Sequence, residues 1–323
     1  MLRENTDSLV SIEERRDSAG KAGELMTNRT RATMVGLTAI LMWSMLGVFT
    51  GGSGAVPPFL LNAFCFGLSG SVATIWLIAR GRAAVLRQPP KVWIVGTLGL
   101  FGYHALYFTA LRTAPLVEAG LINYLWPLLI VLFSGLLPGE RLRAHHLAGV
   151  VLGFAGAALL VTAGQSLALD GDYAFGYLTA FLAAVVWAGY SVTSRRFSGV
   201  PSEAVAGFCL ATAVLSLICH AAFEETVLPS TPMEWSMVAL LGAFPVGLAF
   251  FVWDHGVKHG DIQLIGTAAY ATPVLSTLLL TLTGYGTLGW ATAVACALVT
   301  LGAVVAAWDA LPFRRRASKQ AVT

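Results

Sequence analysis

Charge is what this chain has least of. Asp, Glu, Lys and Arg make up 11% of its 323 residues, against about 25% in a typical soluble domain. That scarcity excludes a large water-facing surface. Polar connectors are short as well, which leaves no room for a sizeable soluble domain. No G-x-x-x-x-G-K-[ST] loop occurs, so an ATP-driven pump is disfavoured. Residues 1–33 lack an apolar h-region, so no cleaved signal peptide is expected. They read as a polar cytoplasmic tail, with Met26 as a second candidate start. The four cysteines, Cys65, Cys209, Cys219 and Cys296, all lie in apolar stretches without metal-ligand or disulfide spacing, so they read as small packing residues. No metal or cofactor is expected. Lys and Arg are absent from the depth of the apolar stretches, which disfavours a phosphate-bearing substrate.

Apolar sequence fills the space that charge leaves, at 56% of residues. Ten stretches approach the roughly 20 residues that a bilayer core requires: 34–50, 57–79, 92–110, 115–136, 145–163, 174–193, 202–221, 234–256, 262–282 and 288–308. The expected fold is an all-α membrane protein, because isolated strands would leave backbone groups unpaired in lipid. Lys and Arg set its direction. With the N-terminus inside, nineteen of the 20 basic residues fall on the inner side and only Arg112 falls outside. Both termini are therefore expected in the cytoplasm. The small positive charge reflects this topology rather than nucleic-acid binding, and Arg314-Arg315-Arg316 in the tail 311–323 reads as a membrane stop that touches anionic lipid.

Two stretches carry near-matching cores. Gly120-Leu-Ile-Asn123-Tyr124-Leu-Trp126-Pro127 and Gly266-Thr-Ala-Ala-Tyr270-Ala-Thr-Pro273 share Gly, Tyr and Pro at an offset of 146. Leu142 and Leu288, and Gly156 and Gly302, keep that offset, while Trp43 and Trp187 are 144 apart. The chain thus reads as two five-helix repeats, 34–165 and 172–310. Five is odd, so the second repeat enters the membrane from the opposite side. Such inverted repeats support alternating access around a midplane site.

The site is expected where the repeats meet. Pro127 and Pro273 each free the carbonyl four residues back, at Asn123 and Ala269, and a freed carbonyl at depth needs a partner. Trp76, Trp93, Trp235, Trp290 and Trp308 fall near span ends, as an interfacial belt does. Trp43, Trp126 and Trp187 lie deeper, with Tyr103, Tyr107, Tyr124 and Tyr270 at similar depth. These rings either wall a cavity for a flat, partly polar solute or fill the bundle core. His104 is the one ionisable side chain clearly near a midplane, whereas Asp254 and His255 approach the inner surface and read as solvated. Gly149 and Gly153 form a helix-packing G-x-x-x-G. Gly67-Leu-Ser69-Gly70 matches the core of intramembrane serine proteases, but four common residues read better as small-residue packing.

The run Glu118-Ala-Gly-Leu-Ile-Asn-Tyr-Leu-Trp-Pro127, the Gly139-Glu140-Arg-Leu142 after it, and His259-Gly260 followed by Ala268-Ala-Tyr-Ala-Thr-Pro-Val-Leu-Ser276 resemble the EamA-type branch of the drug/metabolite transporter superfamily, and within it the aromatic amino-acid exporters. The resemblance covers about residues 30–310. It implies a non-enzymatic exporter of Phe, Tyr and Trp, and of related neutral amino acids, in a bacterial inner membrane. A broad-specificity efflux carrier is the alternative. The matching site residues are Asn123, Tyr124, Trp126, Pro127, Tyr270 and Pro273, and the reading above adds Trp43, Tyr103, His104, Tyr107 and Trp187. One departure is Gly286, which stands where a second-half counterpart of Glu140 is expected.

Overall fold

The computed structural model describes residues 26–165, 169–283 and 289–308. The expectations for Gly286, Leu288 and the tail 311–323 lie outside these residues. Among the described residues all regular structure is helical. Nine helices among the described residues are long and apolar enough to cross a bilayer: α1 Met26–Gly52, α2 Pro58–Ala79, α3 Pro90–Thr113, α4 Leu116–Ser134, α5 Ala144–Val161, α6 Gly171–Arg196, α7 Ser202–Phe223, α8 Pro232–His259 and α9 Ile262–Leu282. A further apolar helix, α10 (Trp290–Ala306), has 17 residues. Prolines open α2, α3 and α8, where the missing N–H would be unsatisfied in any case. Asp261 caps α9 by accepting the Leu264 amide at 3.1 Å.

Five helices outrun their expected lengths, α6 and α7 among them. The first is helical from Met26, which corrects the reading of 26–33 as a loose tail. Ala32 and Thr33 are buried, and the Thr33 hydroxyl accepts the Asp261 amide at 2.8 Å, so this turn packs on the α8–α9 junction. In α3 and α8 the added length accompanies a single π-type turn, at Leu98–Gly102 and Phe244–Leu248. These turns are 146 residues apart, which is the offset of the repeated motif.

Packing follows the same symmetry. The helices α2 and α7 pair, as do α5 with α10, α4 with α9, α3 with α6, and α8 with α1. Exchanging each helix with the one five places along maps this set onto itself. A backbone-to-backbone approach joins α5 and α10. A Cβ on Gly149 would lie 2.6 Å from the Gly302 carbonyl oxygen, and a Cβ on Gly302 the same distance from that of Gly149. Ser69 belongs to a similar small-residue seam. Beside it, a Cβ on Gly70 would meet the Leu210 amide at 2.9 Å.

Ion pairs sort the helix ends into two faces. One face holds Arg29, Glu140, Arg195 and Asp261, with Arg82–Glu203 at 2.8 Å beside them. The other holds Arg112 and Glu224, 2.6 Å apart. Glu224 ties three helices together. It accepts the Phe59 and Leu60 amides at the start of α2, at 3.0 and 3.2 Å, and contacts His220 at 3.0 Å. Burial alone would raise this carboxyl, but these hydrogen bonds and the Arg112 charge outweigh burial and hold it below the ordinary carboxylate value of 4.5. A depressed carboxylate stabilises the fold above its unfolded pKa and loses that contribution as pH falls through the folded value. Glu224→Gln is therefore expected to cost roughly 2 kcal/mol at neutral pH. Melting curves of the two proteins should converge in acid; a constant gap across pH would refute this assignment.

Candidate functional site

A cavity of about 420 Å³ lies between the two halves. Its walls come from the C-terminal part of α1, the N-terminal part of α2, the middle and end of α3, the breaks in α4 and α9, and the middles of α6 and α8. All of these segments lead toward the Arg112–Glu224 face, and the α1–α2 connection (Ser53, Gly54 and Val56) lines the mouth.

Eight of the eleven residues named from sequence line this cavity: Trp43, Tyr103, His104, Tyr107, Asn123, Tyr124, Trp126 and Trp187. Helix α4 is interrupted at Tyr124–Leu125, between segments Leu116–Asn123 and Trp126–Ser134, and this interruption turns Asn123, Tyr124 and Trp126 toward one space. Tyr103 and Tyr107 stack with centroids 5.9 Å apart, as side chains one helical turn apart can. The Asn123 amide donates to the Tyr103 hydroxyl at 3.2 Å.

Three residues are placed elsewhere. Pro127, Tyr270 and Pro273 are buried but do not line the cavity. Tyr270, fully buried, packs on Gly153 and Phe154 in a separate core of α4, α5, α9 and α10. The physical reason is the break in α9 at Ala269–Tyr270, which points this ring at the glycine seam of α5 rather than inward. Pro127 and Pro273 open the turn after each break, so they shape the backbone around the space and leave its walls to neighbours.

Other cavity residues escaped the sequence reading. Phe250 and Thr272 line the cavity, and each lies 146 residues after a residue that was named, His104 and Trp126 respectively. Applying the repeat offset to every candidate finds both. Asp254 was expected to be solvated, yet its side chain is 1% exposed and pairs with Lys258 at 2.7 Å. Tyr190 donates to it at 3.4 Å. The α8 helix buries that turn against α6, and the i, i+4 spacing of Asp254 and Lys258 was the available signal.

The π-type turns orient cavity rings. Within the first, the Leu100 carbonyl lies 2.7 Å from His104 Nδ1. A carbonyl only accepts, so Nδ1 carries a proton, and in the neutral ring Nε2 is then the acceptor. Within the second, the Pro245 carbonyl accepts the Trp43 indole N–H at 3.0 Å. Widened turns of this kind make carbonyls available to side chains, and they recur at functional sites. Two fully buried polar atoms of the lining have no partner among the described residues, Asn123 Oδ1 and Thr272 Oγ1. Orphaned groups of this kind are costly unless a ligand or water meets them.

Below the cavity the bundle closes. Trp43, Trp126, Trp187, Phe250 and Trp253 form a floor with ring centroids 4.9 to 6.4 Å apart. Farther down, Arg195 donates to Glu140 at 2.5 Å and to the Val257 and Gly260 carbonyls at 2.9 and 2.8 Å. This clasp joins the α4–α5 connection of one half to α6 and α8 of the other. The site is thus open on one face and doubly sealed on the opposite one.

A ring-walled, one-sided cavity between two like halves suits a carrier, and comparison with known proteins decides which kind. The EamA-like transporter family matches twice, at residues 30–162 and 174–308, once for each half. This chain belongs to the EamA-like transporter family. Among characterised relatives, the aromatic amino acid exporter YddG of Ancylobacter novellus is 54% identical over 281 residues, covering 86% of this chain and 98% of that exporter. The YddG exporters of Salmonella typhimurium and Escherichia coli are 30% and 28% identical, over 77% and 78% of this chain and 87% and 88% of theirs. A solved crystal structure 54% identical in sequence aligns with a TM-score of 0.82, over 86% of this chain and 98% of the other. The two EamA matches meet between α5 and α6, where the sequence repeat places its boundary.

Proposed function

We propose that this EamA-family transporter exports aromatic amino acids, Phe, Tyr and Trp, with other neutral amino acids as secondary substrates. The observation that carries this reading is the cavity: rings on most sides and a few neutral polar groups. No bond is made or broken. The chain crosses a bacterial inner membrane ten times as two inverted repeats, with both termini in the cytoplasm. The basic face is then the inner one, and the arrangement described is open to the outside. Export requires the Glu140–Arg195 clasp to part while the Arg112–Glu224 face closes, as the halves exchange roles.

Within the site, Trp126, Tyr124, Trp43 and Trp187 enclose the substrate ring, while Asn123, His104 and Tyr103 meet its polar end. Nε2 of a neutral His104 and the unpaired Asn123 Oδ1 both suit the α-ammonium group, because each accepts a hydrogen bond. A charge-assisted hydrogen bond contributes about 1.5–3 kcal/mol. His104→Phe, which installs the residue that the second half carries at the equivalent position, should therefore weaken phenylalanine binding roughly tenfold. Inhibition by 3-phenylpropionate, which lacks the ammonium, should be unchanged. Equal losses for both compounds would place His104 in general packing instead.

The function itself is tested by counterflow of labelled phenylalanine in proteoliposomes, with and without a pH gradient. Accumulation that aromatic amino acids compete away supports the reading. No counterflow of phenylalanine, tyrosine or tryptophan from correctly folded protein would overturn it.

A further inference from the structure

A second recess lies on the basic face, away from the cavity, between the first turns of α1 and the last turns of α8. It is lined by Asn28, Arg29, Arg31 and Val35 on one side and by His255 and His259 on the other. Four side chains able to carry positive charge converge here, and no acid is in the lining. Arg31 is exposed and has no hydrogen-bond or ion-pair partner among the described residues. The imidazoles of His255 and His259 lie 5.0 Å apart, and among the described residues neither has a hydrogen-bond partner. Arg29 reaches Glu140 and Asp261 only at 3.4 and 3.5 Å, whereas Arg195 holds Glu140 at 2.5 Å. Arg195 therefore already holds Glu140, and Arg29 is left at the edge of the recess with Asp261 as its remaining acidic neighbour.

We infer that this recess binds the phosphate headgroup of an anionic phospholipid. Its position supports a lipid over a free anion. It sits at the helix ends, where a membrane–water interface falls, and its floor is apolar at Ala32 and Val35. Met34, on the same stretch of α1, is 61% exposed, as a lipid-facing side chain is. A guanidinium fork matches two phosphate oxygens at once, and the cytoplasmic leaflet supplies anionic headgroups to basic clusters. Through Arg29 the bound headgroup would also touch the cluster that seals the inner face.

Native mass spectrometry of the full chain, with phosphatidylglycerol or phosphatidylcholine added, tests the site. Wild-type protein should retain phosphatidylglycerol preferentially. Arg31→Gln should cut that retention roughly fivefold, and the double variant Arg31→Gln, His255→Gln should cut it further. Arg31 is exposed, so its replacement leaves the fold intact, and an unchanged phosphatidylcholine signal and melting temperature verify that. Arg31→Lys should restore part of the preference. Equal retention of both lipids, or full phosphatidylglycerol retention by the double variant, would overturn the proposal. Displacement of the lipid by millimolar inorganic phosphate would also overturn it, by showing a free-anion site.

Discussion

Trp126→Ala should reduce phenylalanine counterflow by roughly tenfold or more while the protein still folds. Trp126 lies edge-on to Trp43, Trp187 and Trp253, with centroid distances of 6.0, 6.4 and 5.7 Å, and it is also a wall residue. Each aromatic pair contributes about 0.5–1.5 kcal/mol beyond area burial. Truncation removes both the surface offered to a substrate ring and the edges that hold the other three indoles in place. Trp126→Phe keeps a ring and should retain most of the activity. Monodisperse elution and a melting temperature above the assay temperature exclude simple unfolding. A Trp126→Ala protein transporting at the wild-type rate would move the site elsewhere.

The second large effect concerns packing alone. Gly149→Leu should destabilise the protein by about 3 kcal/mol or more, and the expected readout is loss of the monodisperse peak after mild heating. At this point α5 and α10 meet backbone to backbone. The new Cβ would lie 2.6 Å from the Gly302 carbonyl oxygen and 2.7 Å from the Ala306 amide nitrogen. Backbone atoms cannot swing aside as a side-chain tip can, so the helices must part. Water offers no hydrophobic drive between helices within lipid, and close approach is what holds such pairs. Gly171→Ala, in open space, is the control and should behave as wild type. A Gly149→Leu protein as stable as wild type would mean that α5 and α10 do not make this contact.

Much of the architecture was legible in the residues. Apolar length gave most helix positions, because nothing else satisfies a backbone in lipid. The recurrence of Tyr and Pro at 146 marked the breaks in α4 and α9, since proline opens the turn after each. The π-type turns were not legible: Gly99 and Gly102 announce close packing, but an extra residue per turn leaves no mark in composition. Tyr270 shows the limit of the repeat logic. It matches Tyr124 in sequence, yet one ring faces the cavity and the other fills a core, because a break of nearly equal position points its side chain according to the neighbours it finds. Asp254 shows another limit. A carboxylate near a helix end reads as solvated until a lysine one turn on and a tyrosine from α6 are seen to enclose it.

The floor of indoles has a consequence for the cell's energy economy. A membrane that stores an ion gradient cannot tolerate a leak through proteins embedded in it. Between the open chamber and the Asp254–Lys258 pair stand the rings of Trp43, Trp187, Phe250 and Trp253, and the indole N–H groups of Trp43 and Trp253 are bonded to Pro245 and Ser191. An indole N–H donates but has no lone pair with which to accept a proton, so these rings cannot serve as steps in a proton relay. The aromatic plug is thus expected to keep an idle carrier electrically silent.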